Sequence, residues 1–558
     1  LRAGAEEALG HARRLARVAL GSGVLWEVRP QGVLEALRVL ATTHAQNMSH
    51  LYRVHGRNQP AKVALLHRGA GAQGEAYTYG RLDELMGRVA AGLRRRGLPR
   101  DAALLVLCRN RPEHLLATGG GARLGVRVIP GSYRSAPREI AHIVRHGGVG
   151  AVVFDAELSD AVEEGLAGAA VPPALRFVVQ GRGGGAAPFE ALLEEAPLEP
   201  SAEGGEGGAL VMYTSGTTGS PKGAVRRFSR SQVMPWLEFL GATPLRADDV
   251  HLAVCPLYHA TGMAFVAMTH LLGGSVVLEE SFTPESFVDA VTRHKVTTTA
   301  LVPTMLGRLV GLAPERLASM PRTLRAVFVG GAPLSPRLAL DAMDALGDVL
   351  FQFYGATETG LVTLATPTDL RERPASIGRA LPGVEVRLLD EAGAPVALGD
   401  VGELFAASAS LIEGYAGDPN ATAASLREGA FSVGDLAYAD DEGRYFLVVR
   451  KRDLIISGGV NVYPAEVEAV LEAHPDVAEA AVVGAPDADL GERVVAFVVL
   501  REGVTPGNDH LEAHARRELA GPKRPRAYHW VTELPRNPTG KVLKTELRRR
   551  VQGAPGAT

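Results

Sequence analysis

Cysteine is almost absent. Cys108 and Cys255 are the only two in 558 residues, which excludes a disulfide framework and points to a reducing, cytoplasmic setting. Long apolar runs are missing as well. No run reaches the roughly 18 residues that a membrane span needs. The first residues scatter Arg and Glu among apolar side chains, so no secretory signal is expected. Strong net charge is lacking too: 59 Lys and Arg stand against 62 Asp and Glu, a balance of −3. A dedicated nucleic-acid binder would carry a basic stripe, so nucleic acid is not an expected partner. Lysine is scarce. It occurs at 62, 222, 295, 451, 523, 541 and 544, seven of the 59 basic residues. Coding bias toward arginine accounts for the shortage, yet it makes each remaining lysine informative. A compact ammonium on a flexible stem does not interchange with a planar guanidinium.

What is present fits a multidomain globular chain. The length exceeds one compact core. Residues 1–54 read as a helical, partly basic arm, with Arg13, Arg14 and Arg17 among Leu and Val. Packing on the body is one reading of this arm, and contact with a membrane surface is the other. From there, apolar runs such as "ALLVLC" (103–108), "AVVFD" (151–155) and "AVFVGG" (326–331) alternate with helical stretches. Unbroken apolar strands between helices predict parallel sheets covered on both faces. The Gly-, Ala- and Glu-rich stretch 182–208 reads as a mobile connection. After about residue 450 a shorter helix and strand pattern predicts a small α+β unit.

The stretch "VMYTSGTTGSPKGAVRR" (211–227) is the strongest chemical signal. A short apolar strand leads into a loop with Thr214, Ser215, Gly216, Thr217, Thr218, Gly219 and Lys222. Glycines allow close backbone approach, hydroxyls and N–H groups form an anion-binding nest, and the lysine adds mobile positive charge. The set suits a polyphosphate. It is not a Walker A loop, because Pro221 precedes Lys222 and Gly223 follows it.

"YTSGTTGSPKG" resembles the phosphate loop of the adenylate-forming superfamily, which includes acyl-CoA synthetases, luciferases and peptide-synthetase adenylation domains. "FYGATETG" (353–360), "GDL" (434–436), "RKRDLIISGGVNVYPAEVE" (450–468) and "LPRNPTGKVLK" (534–544) are similar to further segments of that family, in family order and across roughly residues 55–545. The resemblance implies an α/β fold. A large N-terminal domain of stacked mixed and parallel sheets with a β-barrel-like subdomain spans 55–449. A hinge at 450–452 precedes a small mobile α+β lid at 453–558.

It also implies roles. Residues 214–222 would hold the β- and γ-phosphates of ATP. Tyr354 would pack on adenine, and Gly330, Gly331, Ala332 and Pro333 would line the same pocket beside Gly355. Thr357 would contact phosphate. Glu358, with Thr218, would hold Mg²⁺; alone, Glu358 reads as a solvated loop carboxylate. Asp435 would grip the ribose, Arg450 would reach the same region, and Lys541 would bridge carboxylate and α-phosphate as negative charge builds. Arg452 stands at the hinge, where relatives carry Asp or Lys. Val433 and Val449 depart from the Thr, and from the Asp or Gly, usual at those positions.

"PLYHATGM" (256–263) resembles the segment bordering the acyl pocket, which brings in Tyr258, His259 and Met263. His259 could gate the site, orient the carboxylate, or simply be a buried, hydrogen-bonded histidine. No Asp stands near Phe265 to hold an α-amine. That tilts the reading away from amino acids. Met263, Phe265, Val266 and Met268 suit a hydrocarbon chain. The helical N-terminal arm resembles that of bacterial medium- and long-chain fatty-acid–CoA ligases, so the resemblance implies a medium- or long-chain fatty acid joined to coenzyme A. An aryl acid, a carrier-protein acceptor and a non-catalytic nucleotide binder are the alternatives. A homodimer is a further expectation.

Overall fold

The computed structural model describes residues 21–42, 47–68, 74–169, 171–183, 185–199, 209–214, 222–227, 230–457, 460–487, 490–504, 508–519, 521–537 and 541–552. Among these residues four sheets form. The first has nine strands. Its parallel centre runs Val63–Arg68, Ser275–Glu279, Val250–Ala253, Thr298–Leu301, Ala326–Val329 and Leu350–Ala356. Gly360–Ala365 then returns antiparallel to Leu350–Ala356. The second has eight strands. Its parallel part orders Leu210–Thr214, Arg127–Pro130, Ala103–Leu107, Val149–Asp155 and Arg176–Val179.

One core ties these two sheets into layers. Leu65, Val276 and Leu278 of the first sheet and Leu104, Val106 and Val153 of the second share it with Leu82, Met86, Val89 and Leu115. The last four lie on helices Tyr79–Arg95 and Pro112–Leu124. Each fully buried Leu or Val there contributes about 1.5–3 kcal/mol. Strands covered on both faces have no solvent side, which is why they read as unbroken apolar runs.

A third, antiparallel sheet forms the half-barrel: Glu385–Leu389, Gly402–Ala407, Ala430–Ala439, Leu426–Arg427 and Tyr445–Arg450. Tyr445–Arg450 ends at a single 3₁₀ turn, Lys451–Asp453. The next strand, Ile455–Ser457, already belongs to the fourth sheet, with Val460–Val462, Val477–Asp487, Gly491–Leu500 and Ala527–Trp530. Helices Pro464–Glu472, Asn508–Glu518 and Lys544–Gln552 complete that small unit.

Two segments differ from expectation. Residues 182–199 are not a loose connection: Ala187–Pro188 extends the eight-stranded sheet, and Phe189 and Leu192 are buried in the shared core. Two well-spaced apolar side chains suffice to anchor a Gly-rich segment, and composition hides them. The rest of that connection, 200–208, lies outside the described residues. In the N-terminal arm, helix Met48–Asn58 runs through position 55, so arm and body share an element there. Helix Pro30–Thr42 leaves Val33, Leu34 and Leu37 exposed. Among the described residues no helix is long and apolar enough to cross a membrane.

Candidate active site

A cavity of about 1430 Å³ opens between the large domain and the small one. Lys222, Glu358, Arg450, His259 and Lys541 all line it, although they are scattered over more than three hundred positions of sequence. Topology explains the convergence. Leu210–Thr214 and Lys222–Arg226 form an antiparallel hairpin whose last register pair is Thr214 with Lys222. The connecting residues Ser215, Gly216, Thr217, Thr218 and Gly219 lie outside the described residues, as does the Thr214 side chain. Lys222 stands at the mouth of that hairpin. Its Nζ is 3.4 Å from an Asp418 carboxylate oxygen and 5.1 Å from the centre of the Tyr415 ring.

Glu358 follows the strand Leu350–Ala356 and is nearly buried. Tyr415 donates its hydroxyl to Glu358 Oε1 at 2.9 Å. Arg226 holds the same turn, donating to the carbonyls of Thr357 at 2.7 Å and Ser410 at 2.6 Å. Burial lowers the Arg226 guanidinium to about 10, which leaves it charged at neutral pH.

One side of the cavity carries a three-residue cluster. Tyr354 donates its hydroxyl to Asp435 Oδ2 at 2.7 Å, and Arg450 donates Nε to Asp435 Oδ1 at 2.9 Å. Burial and the adjoining Asp435 carboxylate push the Tyr354 phenol well up. Asp435 lies within the strand Ala430–Ala439, paired across the ladder with Arg450, and so is not a turn aspartate. Gly434, just before it, takes φ 79°, a conformation that costs a side-chain-bearing residue strain. Gly355, Thr357 and Gly331 line the cavity directly. Gly330, Ala332, Pro333, Tyr354 and Asp435 are not part of the lining, although Tyr354 and Asp435 are linked to it through Arg450. A Cβ on Gly330 would lie 2.5 Å from the Phe353 ring, so a glycine there lets the two strands close up.

Elsewhere in the cavity, His259 is the N-cap residue of helix Ala260–Leu272 and its ring lies 4.4 Å from that of Tyr258. His259 Nε2 is shielded from solvent and has no hydrogen-bond partner among the described residues. Burial lowers its pKa to about 4, so the ring is neutral at pH 7. Met263, Phe265, Met268, Val302 and Phe353 continue the apolar wall. Met263 is at once wall and core.

Asn110 was not visible as a site residue in the sequence. Its side chain donates to the Cys255 carbonyl at 3.0 Å and accepts from the Leu257 N–H at 2.8 Å, which fixes the loop before His259. Tyr415, Asp418 and Arg226 were missed for the same reason. No spacing or charge pattern marks them, and only strand pairing brings them to the cavity.

Lys541 comes from the small domain. Its N–H donates to Asn537 Oδ1 at 2.8 Å and its carbonyl accepts from the Asn537 N–H at 2.9 Å, closing a tight loop. Arg536 next to it donates to Glu479 at 2.6 Å and anchors the loop base. Of Arg452 the structure describes the backbone, inside the 3₁₀ turn. Among the described residues no cluster of three or more His, Cys, Asp or Glu could hold a metal ion.

Comparison with known proteins gives a consistent result. The family description "AMP-binding enzyme" matches residues 52–416, and "AMP-binding enzyme C-terminal domain" matches 466–541. A feruloyl-CoA synthase from Amycolatopsis sp is 34% identical over 498 residues, 88% of this chain and 97% of that enzyme. The fatty acid–[acyl-carrier-protein] ligase ScoC from Streptomyces coeruleorubidus is 32% identical over 89% of this chain and 95% of its own length. The structure of ATP-bound MatB from Rhodopseudomonas palustris superposes with a TM-score of 0.82 at 29% identity, covering 91% of this chain and 99% of that one. With both domains matched, the chain belongs to the AMP-binding enzyme family of the adenylate-forming superfamily, as an AMP-forming acid–thiol ligase.

Proposed function

We propose that the protein joins a medium- or long-chain fatty acid to coenzyme A through an acyl-adenylate. The observation that supports this substrate is the apolar wall of Met263, Phe265, Met268, Val302 and Phe353 beside His259; Glu280, which also lines the cavity, is engaged by Arg111 at 3.2 Å. A neutral His259 admits a hydrocarbon chain without the cost of burying a second charge.

In the first half-reaction a carboxylate oxygen attacks the α-phosphorus of ATP and pyrophosphate leaves. Asp435 accepts hydrogen bonds from the ribose hydroxyls, and Arg450 keeps that carboxylate oriented. Tyr354 packs on adenine, with Gly330 to Pro333 behind it. Lys222, with the loop 214–219, compensates the β- and γ-phosphates. The Glu358 carboxylate, a hard oxygen donor at the cavity wall, suits Mg²⁺, with Thr218 as its assigned companion. When bound, that ion neutralises charge between phosphate oxygens. Lys541 meets the charge that grows between carboxylate and α-phosphate, so its effect falls on the transition state. In the second half-reaction the thiol attacks the acyl carbon and AMP leaves. Lys541 and the thiol need the same approach, so the small domain turns about Arg452 between the steps.

An aryl acid is the second reading, and the likeness to a feruloyl-CoA synthase favours it. The deciding experiment measures AMP release with ATP, Mg²⁺ and coenzyme A over straight-chain acids from hexanoate to hexadecanoate, with ferulate and benzoate in parallel. Turnover that rises with chain length supports the fatty acid. Turnover confined to the aryl acids sinks it. The likeness to ScoC makes acceptor choice a second readout. A carrier-protein thiol that far outperforms coenzyme A would replace the acceptor while leaving adenylation intact.

A further inference from the structure

We infer that Tyr415 is a positioning residue that serves both arms of phosphate charge compensation at once, orienting the Glu358 carboxylate with its hydroxyl and the Lys222 ammonium with its ring. This rests on the roles proposed above for Lys222 and Glu358.

The placement of Tyr415 comes from backbone pairing. Gly414–Tyr415 adds an edge strand to Lys222–Arg226, with Gly414 opposite Val225 and Tyr415 opposite Ala224. The Glu413 N–H donates to the Val225 carbonyl at 3.1 Å, and the Ala416 N–H to the Gly223 carbonyl at 2.7 Å. On the other side the Ile412 N–H donates to the Glu358 carbonyl at 2.9 Å. Residues 412–416 therefore stitch the lysine strand to the glutamate turn. The side chain repeats that bridge: hydroxyl to Glu358 Oε1 at 2.9 Å, ring 5.1 Å from Lys222 Nζ. The ring itself is braced edge-on by Phe431 at 5.9 Å. Burial and the Glu358 charge push the phenol up, so it stays a hydrogen-bond donor at any working pH.

The arrangement has a physical logic. Lys222 and Glu358 carry opposite charges and face the same polyanion. Direct pairing between them would cancel both. An aromatic ring attracts an ammonium through its face while its hydroxyl donates to a carboxylate, so the two charges are held apart and each keeps its ligand-facing side. Asp418, the ion-pair partner of Lys222, sits three residues further along the same segment and also caps helix Pro419–Ser425.

The two functions of the side chain can be separated. Tyr415→Phe keeps the ring and removes the hydroxyl, whereas Tyr415→Leu removes both. Calorimetric ATP titrations with and without Mg²⁺ read binding independently of turnover, with Glu358→Gln and Lys222→Ala as references. Loss of a hydrogen bond that orients a metal-facing ligand costs about tenfold in metal-dependent affinity. Tyr415→Phe is expected to weaken Mg²⁺-dependent ATP binding by about that factor and to leave metal-free ATP binding unchanged. Tyr415→Leu is expected to lose metal-free binding as well, by a factor close to that of Lys222→Ala. If Glu358→Gln weakens Mg²⁺-dependent binding and Tyr415→Phe does not, the hydroxyl role is wrong and the glutamate assignment stands. If Glu358→Gln leaves Mg²⁺-dependent binding unchanged, the glutamate assignment falls and takes the Tyr415 role with it. Equal losses for Phe and Leu in both titrations would mean a purely structural tyrosine and also overturn the inference.

Discussion

Lys222 and Lys541 line one cavity from opposite sides of the 3₁₀ turn Lys451–Asp453, and they are held in opposite ways. Lys222 ends a strand of the eight-stranded sheet and is already engaged by Asp418 and the Tyr415 ring. Lys541 sits on a short loop of the small domain, closed by two hydrogen bonds to Asn537 and anchored by Arg536 to Glu479. A group built into a wide sheet cannot leave between steps. A group on a small domain joined by one 3₁₀ turn can. Binding charge that persists in the ground state belongs on the first kind of support, and charge compensation needed only while a bond forms belongs on the second.

The contrast can be broken most directly at Lys541. Lys541→Ala should slow acyl-AMP formation by about a hundredfold or more, the usual scale for a lost transition-state contact. ATP affinity and thioester formation from supplied acyl-AMP should stay near wild type. Single-turnover assays of each half-reaction read the difference, and equal loss in both would remove the distinction between the two lysines.

Asp435 sharpens the other side. Asp435→Ala removes the acceptor shared by Tyr354 and Arg450 and leaves a partly buried guanidinium unpaired. A cost of about 2–3 kcal/mol follows for such a charged hydrogen bond. It should appear as weaker ATP binding and a lower melting temperature. A variant that melts normally and binds ATP normally would show that this cluster does not form the nucleoside wall.

The smallest effect is the acid sensitivity of the acyl wall. His259 has a folded pKa of about 4 against the ordinary 6.5, so the unfolded chain binds the proton more readily. Stability contributed by the neutral ring is complete above about pH 6.5 and is lost as pH falls toward 4. At about pH 5 the loss from this one group is on the order of 1–2 kcal/mol. His259→Gln should flatten that part of the stability curve in denaturant titrations between neutral pH and pH 5. An unchanged slope would mean that the ring is hydrated in the native state.

Much of this was legible without coordinates. Strands buried on both faces must read as apolar runs, so "ALLVLC" and "AVFVGG" announced the sheets. Lys541 followed from a lysine in a Pro/Asn/Gly loop within a family pattern. The connection at 182–199 was misread, because two anchoring side chains carry little weight in a Gly-rich composition. That His259 Nε2 has no partner among the described residues was illegible for a different reason: a side chain's hydrogen-bond partners are not a property of its own segment.

By itself, the sequence determined which chemical groups the protein owns and in what order: a loop rich in glycine and hydroxyls, one carboxylate after a strand, a lysine near the end. Local backbone freedom and side-chain chemistry are encoded within a few residues, so those features survive without a fold. The tertiary structure alone decided that Tyr415 touches both Lys222 and Glu358, that Asn110 clamps the loop before His259, and that Asp435 faces Arg450 across a ladder. Those contacts are made by strand register and by the packing of one sheet on another. Register depends on every pair in a sheet at once, and no single stretch of chain contains it.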